Sequence, residues 1–104
     1  MAPATVSVVY PKGAKFDMEY YLATHMPLVQ KTWAPSGLKS WKVAQYSNPE
    51  SPHCVQAWLE WESVDHWTKA ASSSEGATVF ADIENFSDKK PEVMIGEIKE
   101  SKTC

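Results

Sequence analysis

His25 is the residue of this sequence best suited to acid–base chemistry. It lies four residues after Tyr21 within the segment 16–29, and positions four apart share one face of a helix. An imidazole titrates near neutral pH, and a phenol can donate a hydrogen bond to it or to a substrate oxygen. Since most lone histidines on apolar helix faces are structural, the spacing alone favours a structural group over a catalytic one.

The helix that carries His25 is predicted from its apolar spacing and its ends. Asp17 is a suitable N-cap. Pro27 is expected to interrupt the hydrogen-bond ladder, after which the helix resumes to about Trp33. The predicted inward face follows the i, i+3/i+4 rule and consists of Met18, Tyr21, Leu22, His25 and Val29.

A flat pocket beside His25 could be walled by aromatic side chains, namely Phe16, Trp41, Trp58, Trp67, Phe80 and Phe86. For each of them, packing in the core is the competing explanation. Gln45 and Gln56 lie on strands that we predict to be neighbours, where a buried amide needs a partner. The two amides either pair with each other across the sheet or face the pocket and orient a substrate carbonyl.

The segment DIENFSDKKP, residues 82–91, is predicted to be irregular and mainly structural. Asp82 and Asn85 are of the types whose side chains hold loop backbone. Phe86 is the residue of this segment that we expect to contact a ligand.

Composition excludes several classes of protein. The net charge is −3 over 104 residues, and the scattered lysines form no basic run, so no nucleic-acid partner is expected. No apolar segment is long enough to span a membrane, and no signal-peptide pattern is visible. Since Cys54 and Cys104 make no disulfide framework, we expect a reduced, cytoplasmic protein.

Cofactor and metal sites are not indicated. The four glycines are dispersed and form no phosphate-binding loop, so neither a flavin nor a nicotinamide cofactor is predicted. The candidate metal ligands lack the spacing of known sites; they are His25, His53, Cys54 and His66. We therefore predict no metal and no cofactor, with a heme held by the lone histidine left as an alternative.

The order of predicted elements is β-α-β-β-α-β in one domain, residues 1–104, with an ordered core of about residues 5–99. Strands are predicted at 5–10, 38–46, 54–61 and 93–99, and Ser63 is the predicted cap of the second long helix. This order is that of the ferredoxin-like α+β fold, a four-stranded antiparallel sheet with helices on one face.

Both faces of the predicted sheet carry apolar groups. In residues 54–61, Val55, Leu59 and Trp61 alternate with Cys54 and Trp58. Helices can cover only one face, so the other face is expected to pair with a second copy in a homodimer.

The chain resembles the EthD family of small dimeric α+β barrels. The resemblance covers residues 6–98 and is carried by YYLATHMPLV, WLEWESVDHW and DIENFSDKKP, with Tyr21-x-x-x-His25-x-Pro27 as its most specific piece. It implies sheet-to-sheet pairing into a barrel, a pocket between sheet and helices, and a shared histidine at His25. Related proteins act on polyketides or xenobiotics, and the family is named for a role beside a partner oxidase.

Two functions from different classes follow from these features. The first is a cofactor-independent oxidoreductase, decarboxylase or cyclase, in which His25 moves a proton on a small hydrophobic aromatic or carbonyl-bearing molecule and Tyr21 hydrogen-bonds the developing oxyanion. The second is a non-catalytic protein that binds a hydrophobic metabolite or supports a partner oxidase. A third interpretation is a structural dimer whose pocket is filled by its own side chains.

Overall fold

A four-stranded antiparallel sheet forms one layer of the protein and its helices form the other. The structure is a computed structural model that describes residues 2–104. Its strands are β1 (Ala4–Pro11), β2 (Leu38–Gln45), β3 (His53–Trp61) and β4 (Glu92–Glu97). They lie in the order β2-β3-β1-β4, with every neighbouring pair antiparallel. The predicted ferredoxin-like α+β fold is confirmed.

The helical layer consists of two halves, one from each of two connections between strands. Between β1 and β2 come α1 (Met18–Tyr20), a π-helical turn (Tyr21–His25), α2 (Met26–Trp33) and a 3₁₀ turn (Ala34–Ser36). Between β3 and β4 come α3 (Val64–Ala71), α4 (Ser74–Ala81) and a second 3₁₀ turn (Asp82–Asn85). Within residues 2–104, no helix combines the length and the apolar character that crossing a membrane requires.

Both predicted helix caps are present. The side chain of Asp17 accepts a hydrogen bond from the backbone N–H of Tyr20 at 3.0 Å. The hydroxyl of Ser63 accepts one from the backbone N–H of His66 at 3.2 Å. Each bond satisfies an N–H group that has no partner inside the helix, so the two caps fix where the helices begin.

The π-helical turn changes which side chains face inward. The N–H of Met26 bonds to the carbonyl of Tyr21, five residues back, which widens the turn. Met26 therefore rotates into the core and is 1% exposed, whereas Leu22 is 46% exposed. The prediction of Leu22 on the buried face was wrong, because it assumed a regular α-helical turn.

The helix is also continuous where an interruption was predicted. Pro27 lies in the first turn of α2 and is exposed. Because proline lacks an N–H and its ring collides with the carbonyl four residues back, the wider π turn accommodates it without a break in the helix.

The sheet buries one face and leaves the other without a covering layer. Val55, Ala57, Leu59 and Trp61 lie beneath the helices and are buried. Trp58 alternates with them onto the outer face, where it is half-buried and has Lys42 Nζ 5.1 Å from its ring centroid. The predicted alternation in β3 is therefore observed.

Candidate active site

His25 is held in the π-helical turn at the boundary between the helices and the sheet. It is 4% exposed. Its ring stacks on Tyr21 with a centroid distance of 5.4 Å and an interplanar angle of 13°. On another side the ring centroid of Phe86 lies 4.5 Å away. The imidazole is therefore fixed in orientation by aromatic packing.

Asp82 is the hydrogen-bond partner of this histidine. The Nδ1 atom of His25 lies 2.9 Å from Asp82 Oδ2. The other carboxylate oxygen, Oδ1, accepts hydrogen bonds from Tyr20 Oη at 2.6 Å and from Asn85 Nδ2 at 2.9 Å. Asp82 is thus held from three sides, and it in turn holds the imidazole.

The protonation states follow from burial and from these bonds. Burial lowers the pKa of His25, and the hydrogen bond to Asp82 only partly opposes this effect. Burial works to raise the pKa of Asp82, but hydrogen bonds from Tyr20, Asn85 and His25 outweigh it, so this pKa is lowered. At neutral pH the pair is therefore a neutral imidazole beside a carboxylate.

The charge on Asp82 determines the tautomer of His25. A carboxylate only accepts hydrogen bonds, so Nδ1 must carry the proton that it donates to Asp82. The lone pair is then on Nε2. An imidazole whose one nitrogen is bound to a carboxylate and whose other nitrogen is unprotonated is the arrangement of a general base.

The sequence left open whether Tyr21 donates a hydrogen bond to the imidazole or to a substrate oxygen. In the structure it makes no hydrogen bond to the imidazole. Among the residues described, His25 is hydrogen-bonded to Asp82, while Tyr21 contacts it by ring stacking. Burial raises the pKa of Tyr21, so its hydroxyl stays protonated at neutral pH. Tyr21 can therefore still donate a hydrogen bond, and its predicted bond to a substrate oxygen stays a prediction.

A small cavity lies beside this pair, between the sheet and the helices. Its volume is about 40 Å³, and its wall includes His25, Tyr21, Trp67 and Phe80. The remaining wall is mostly aliphatic and aromatic. Since about 10–15 Å³ accommodates one water molecule, the cavity has room for only a few atoms in this conformation.

Phe16 and Phe86 lie outside the wall of this cavity. They pack edge to face at a centroid distance of 5.3 Å, and Tyr10 packs on both of them at 4.9 and 5.7 Å. Both side chains are therefore part of the packing that holds Tyr21 and His25, rather than surfaces open to a ligand.

Three further predicted pocket residues lie outside the cavity wall. Trp41 donates its indole N–H to Gln30 Oε1 at 3.0 Å and borders a surface groove. Trp58 is on the outer face of the sheet. Gln45 is exposed on β2, which is an edge strand. The pocket roles proposed for these side chains were wrong for two reasons. Trp58 points to the outer face, whereas Trp41 and Gln45 share the inner face with their partners Leu59 and Val55 but lie on the edge strand, outside the cavity wall.

Gln45 and Gln56 do not pair with each other. Gln45 is opposite Val55, and Gln56 is opposite Ala44, so the one-residue offset places the two amides on opposite faces. Gln56 instead accepts a hydrogen bond from Tyr46 Oη at 2.6 Å. Neither amide lines the cavity.

Sequence reasoning missed Asp82 and Tyr20 as site residues. Asp82 is 57 positions from His25, and no local spacing connects the two. The signal that was present is an aspartate in an irregular segment next to a predicted pocket aromatic, Phe86. In the part of the chain that the structure describes, no three His, Cys, Asp or Glu side chains are grouped to hold a metal ion.

This fold, with a histidine–aspartate pair facing a cavity between sheet and helices, belongs to the class of small ferredoxin-like α+β proteins. Comparison with solved structures identifies more similar proteins within this class. An EthD-like protein from Ralstonia eutropha JMP134 is 25% identical with a TM-score of 0.85, and the match covers 99% of this chain and 97% of that one. An ethyl tert-butyl ether D (EthD) family protein from Bacillus halodurans C-125 is also 25% identical, with a TM-score of 0.70 and coverage of 94% and 99%.

A third solved structure is similar in fold alone. It is SnoaB, a cofactor-independent oxygenase from Streptomyces nogalater, at 12% identity, a TM-score of 0.67 and 97% coverage of both chains. No family model matches the chain, and no curated protein matches it. The predicted resemblance to the EthD family is confirmed by its structural neighbours.

Proposed function

We propose that this protein is a cofactor-independent enzyme that moves a proton on a small aromatic or carbonyl-bearing molecule. His25 is the general base, and Asp82 positions it. The observation that carries the proposal is the 2.9 Å bond between His25 Nδ1 and Asp82 Oδ2, which leaves Nε2 unprotonated on a histidine at the cavity wall.

The first chemical step is removal of a proton from a carbon next to a carbonyl. Nε2 of His25 takes the proton, and the electrons of the C–H bond form a carbon–carbon double bond. The carbonyl oxygen becomes an enolate oxygen. Tyr21 lines the same cavity, and its protonated hydroxyl stabilises this developing charge by donating a hydrogen bond.

The walls of the cavity support this step. A mostly apolar site excludes water, which strengthens the interaction of fixed donors with the developing charge. The imidazolium that forms is stabilised by the carboxylate of Asp82. Cyclisation and direct oxygenation of an electron-rich ring can both start from this enolate. Decarboxylation of a β-keto acid instead forms an enolate when the C–CO2 bond breaks, and the same hydrogen-bond donor would stabilise it.

The proposal is tested with 2-tetralone, a bicyclic ketone whose acidic C–H bonds lie between ring and carbonyl. In heavy water, the protein should accelerate deuterium incorporation at that carbon. His25→Gln should reduce this acceleration by about 10²- to 10⁴-fold, the range for one general base. If folded His25→Gln protein exchanges deuterium as fast as the unmodified protein, the mechanism is eliminated.

The second candidate is a non-catalytic protein that binds a hydrophobic metabolite or supports a partner oxidase. The mostly apolar wall of the cavity supports it, because binding a hydrophobic metabolite requires such a wall and no proton transfer. This candidate predicts ligand affinity without deuterium exchange. It also predicts that binding depends little on the protonation of His25.

The active form is proposed to be a homodimer paired through the outer face of the sheet. Trp58 and Met94 lie on this face by strand alternation, both beside Ser7 of β1, and Met94 is 46% exposed. An aromatic and aliphatic face of this kind is typical of an interface between copies of one chain. A cytoplasmic location remains part of the proposal.

A further inference from the structure

A groove lies directly outside the cavity that contains His25. It runs between the end of α4, the second 3₁₀ turn and the loop that leads into β4, and its volume is about 550 Å³. Sites for small organic ligands typically measure about 300–1,000 Å³. The groove therefore has the size of a ligand site, which the inner cavity lacks.

The groove and the cavity are separated by a wall only one side chain thick. Phe80, Ile83, Pro91 and Val93 line both spaces. Phe80 is 38% exposed on the groove side, and on the inner side it packs edge to face on Trp33 at 5.8 Å. Phe80 is the one aromatic ring in this shared wall and is in contact with both spaces.

The rim of the groove carries balanced charge. Its charged side chains are Glu84, Asp88, Lys89 and Lys90, whose formal charges cancel. Asp88 Oδ1 already accepts a hydrogen bond from the backbone N–H of Lys15 at 2.7 Å. The groove thus carries no excess of one sign with which to select an anion or a cation.

We propose that this groove is the outer half of the binding site and that Phe80 gates the passage to His25. The ligand is a neutral, flat aromatic compound of about two fused rings. Its ring body occupies the groove, and only its oxygen-bearing end enters the cavity. The choice of ligand class rests on the proposed function, whereas the position of the site rests on the two volumes and their shared wall.

The probe for this proposal is 2-naphthol, which is neutral at pH 7 and resembles the enol of 2-tetralone. Binding is followed by tryptophan fluorescence, and contact with the pair is followed by the ring-current shift of the His25 Hε1 proton. Two variants alter the site, and each has a clear expected effect.

Ala81→Trp fills the groove from a position that lines the groove but not the cavity. It should weaken 2-naphthol binding by about tenfold or more, because the new ring occupies the ligand's place. Its matched control is Ala77→Trp, an exposed position on the same helix outside both linings, which should leave the dissociation constant within about twofold.

Phe80→Ala removes the gate and should raise the association rate about tenfold, since the open form no longer has to be populated first. Equal binding by Ala81→Trp and Ala77→Trp, or no binding by the unmodified protein at millimolar probe, would overturn the outer site. Weaker binding by Phe80→Ala with an unchanged association rate would overturn the gate.

These outcomes are separable from failure of the proposed function. In one outcome, 2-tetralone shows no His25-dependent exchange, while 2-naphthol binding is weakened by Ala81→Trp and not by Ala77→Trp. The outer site is then supported and the proposed reaction is wrong. If exchange depends on His25 but binding ignores both tryptophan variants, the reaction stands and the groove is not its entrance.

Discussion

His25 and Asp82 are hydrogen-bonded at 2.9 Å although 57 positions separate them in the chain. One is in the π-helical turn after β1, and the other begins the 3₁₀ turn after α4. The ferredoxin-like arrangement brings the two helical halves side by side on one face of the sheet. The pair therefore exists only because both halves pack on that face.

Replacing Asp82 by Asn is expected to invert the tautomer of His25. Tyr20 and Asn85 both donate to Oδ1, so the amide oxygen of the variant should remain there and its NH₂ group should face Nδ1. That group donates, which moves the proton of His25 to Nε2 and removes the base. Deuterium exchange of 2-tetralone should fall by about 10²- to 10⁴-fold.

The tautomer itself provides an independent readout of this variant. Nitrogen chemical shifts of the His25 ring distinguish Nδ1–H from Nε2–H. Unmodified protein should show the Nδ1–H form, and Asp82→Asn should show the Nε2–H form. An Nδ1–H signal in the variant would contradict the assigned roles of Tyr20 and Asn85.

Stability is expected to fall as the pH is lowered below neutrality. The pKa of His25 in the folded protein lies below its ordinary value of 6.5, so the unfolded chain binds the proton more readily. This contribution to stability is present above about pH 6.5 and is lost as the pH falls through the folded value. The lowered pKa of Asp82 adds a second loss at still lower pH.

Urea unfolding at about pH 7.5, 6.5 and 5.5 measures this dependence as a change in the free energy of unfolding. His25→Gln should flatten the curve over this range, because glutamine does not titrate. A variant curve as steep as that of the unmodified protein would assign the pH dependence to other groups.

The π-helical turn predicts unequal effects at two neighbouring apolar positions. Met26→Ala should lower the free energy of unfolding by about 2–5 kcal/mol, since it removes a buried side chain and leaves a cavity. Leu22→Ala should change it by about 0.5 kcal/mol or less, since Leu22 is 46% exposed. A regular α-helix with Leu22 inward would reverse this order, and denaturant unfolding of both variants distinguishes the two.

The proposed dimer predicts a change in mass when the outer face is charged. Trp58→Glu should give a monomer in sedimentation velocity at micromolar concentration, because it places a charge in the apolar interface. Trp41→Glu is the control: Trp41 is also half-buried and lies on the neighbouring strand, but on the opposite face. It should leave the assembly unchanged, and a monomeric unmodified protein would refute the dimer.

The order of elements and the caps were predictable because their signals are local. Two-residue alternation identified β3 and separated Val55 and Trp61 from Trp58, without showing which set faces the helices. Asp17 and Ser63 marked helix starts because each satisfies N–H groups within three residues of itself. The same local reasoning placed His25 only on the inward face of its helix, and the expected pocket beside it came from the order of elements and the resemblance to the EthD family.

The sequence by itself therefore determined the fold class, the alternation within β3 and the helix caps at Asp17 and Ser63. Only the tertiary structure decided that Leu22 faces outward, that Gln45 and Gln56 lie on opposite faces, and that Asp82 rather than Tyr21 bonds the imidazole. The first depends on the extra residue in the π-helical turn, the second on strand register, and the third on contact between distant segments. Such features result from packing the whole chain, and no short stretch of sequence encodes them.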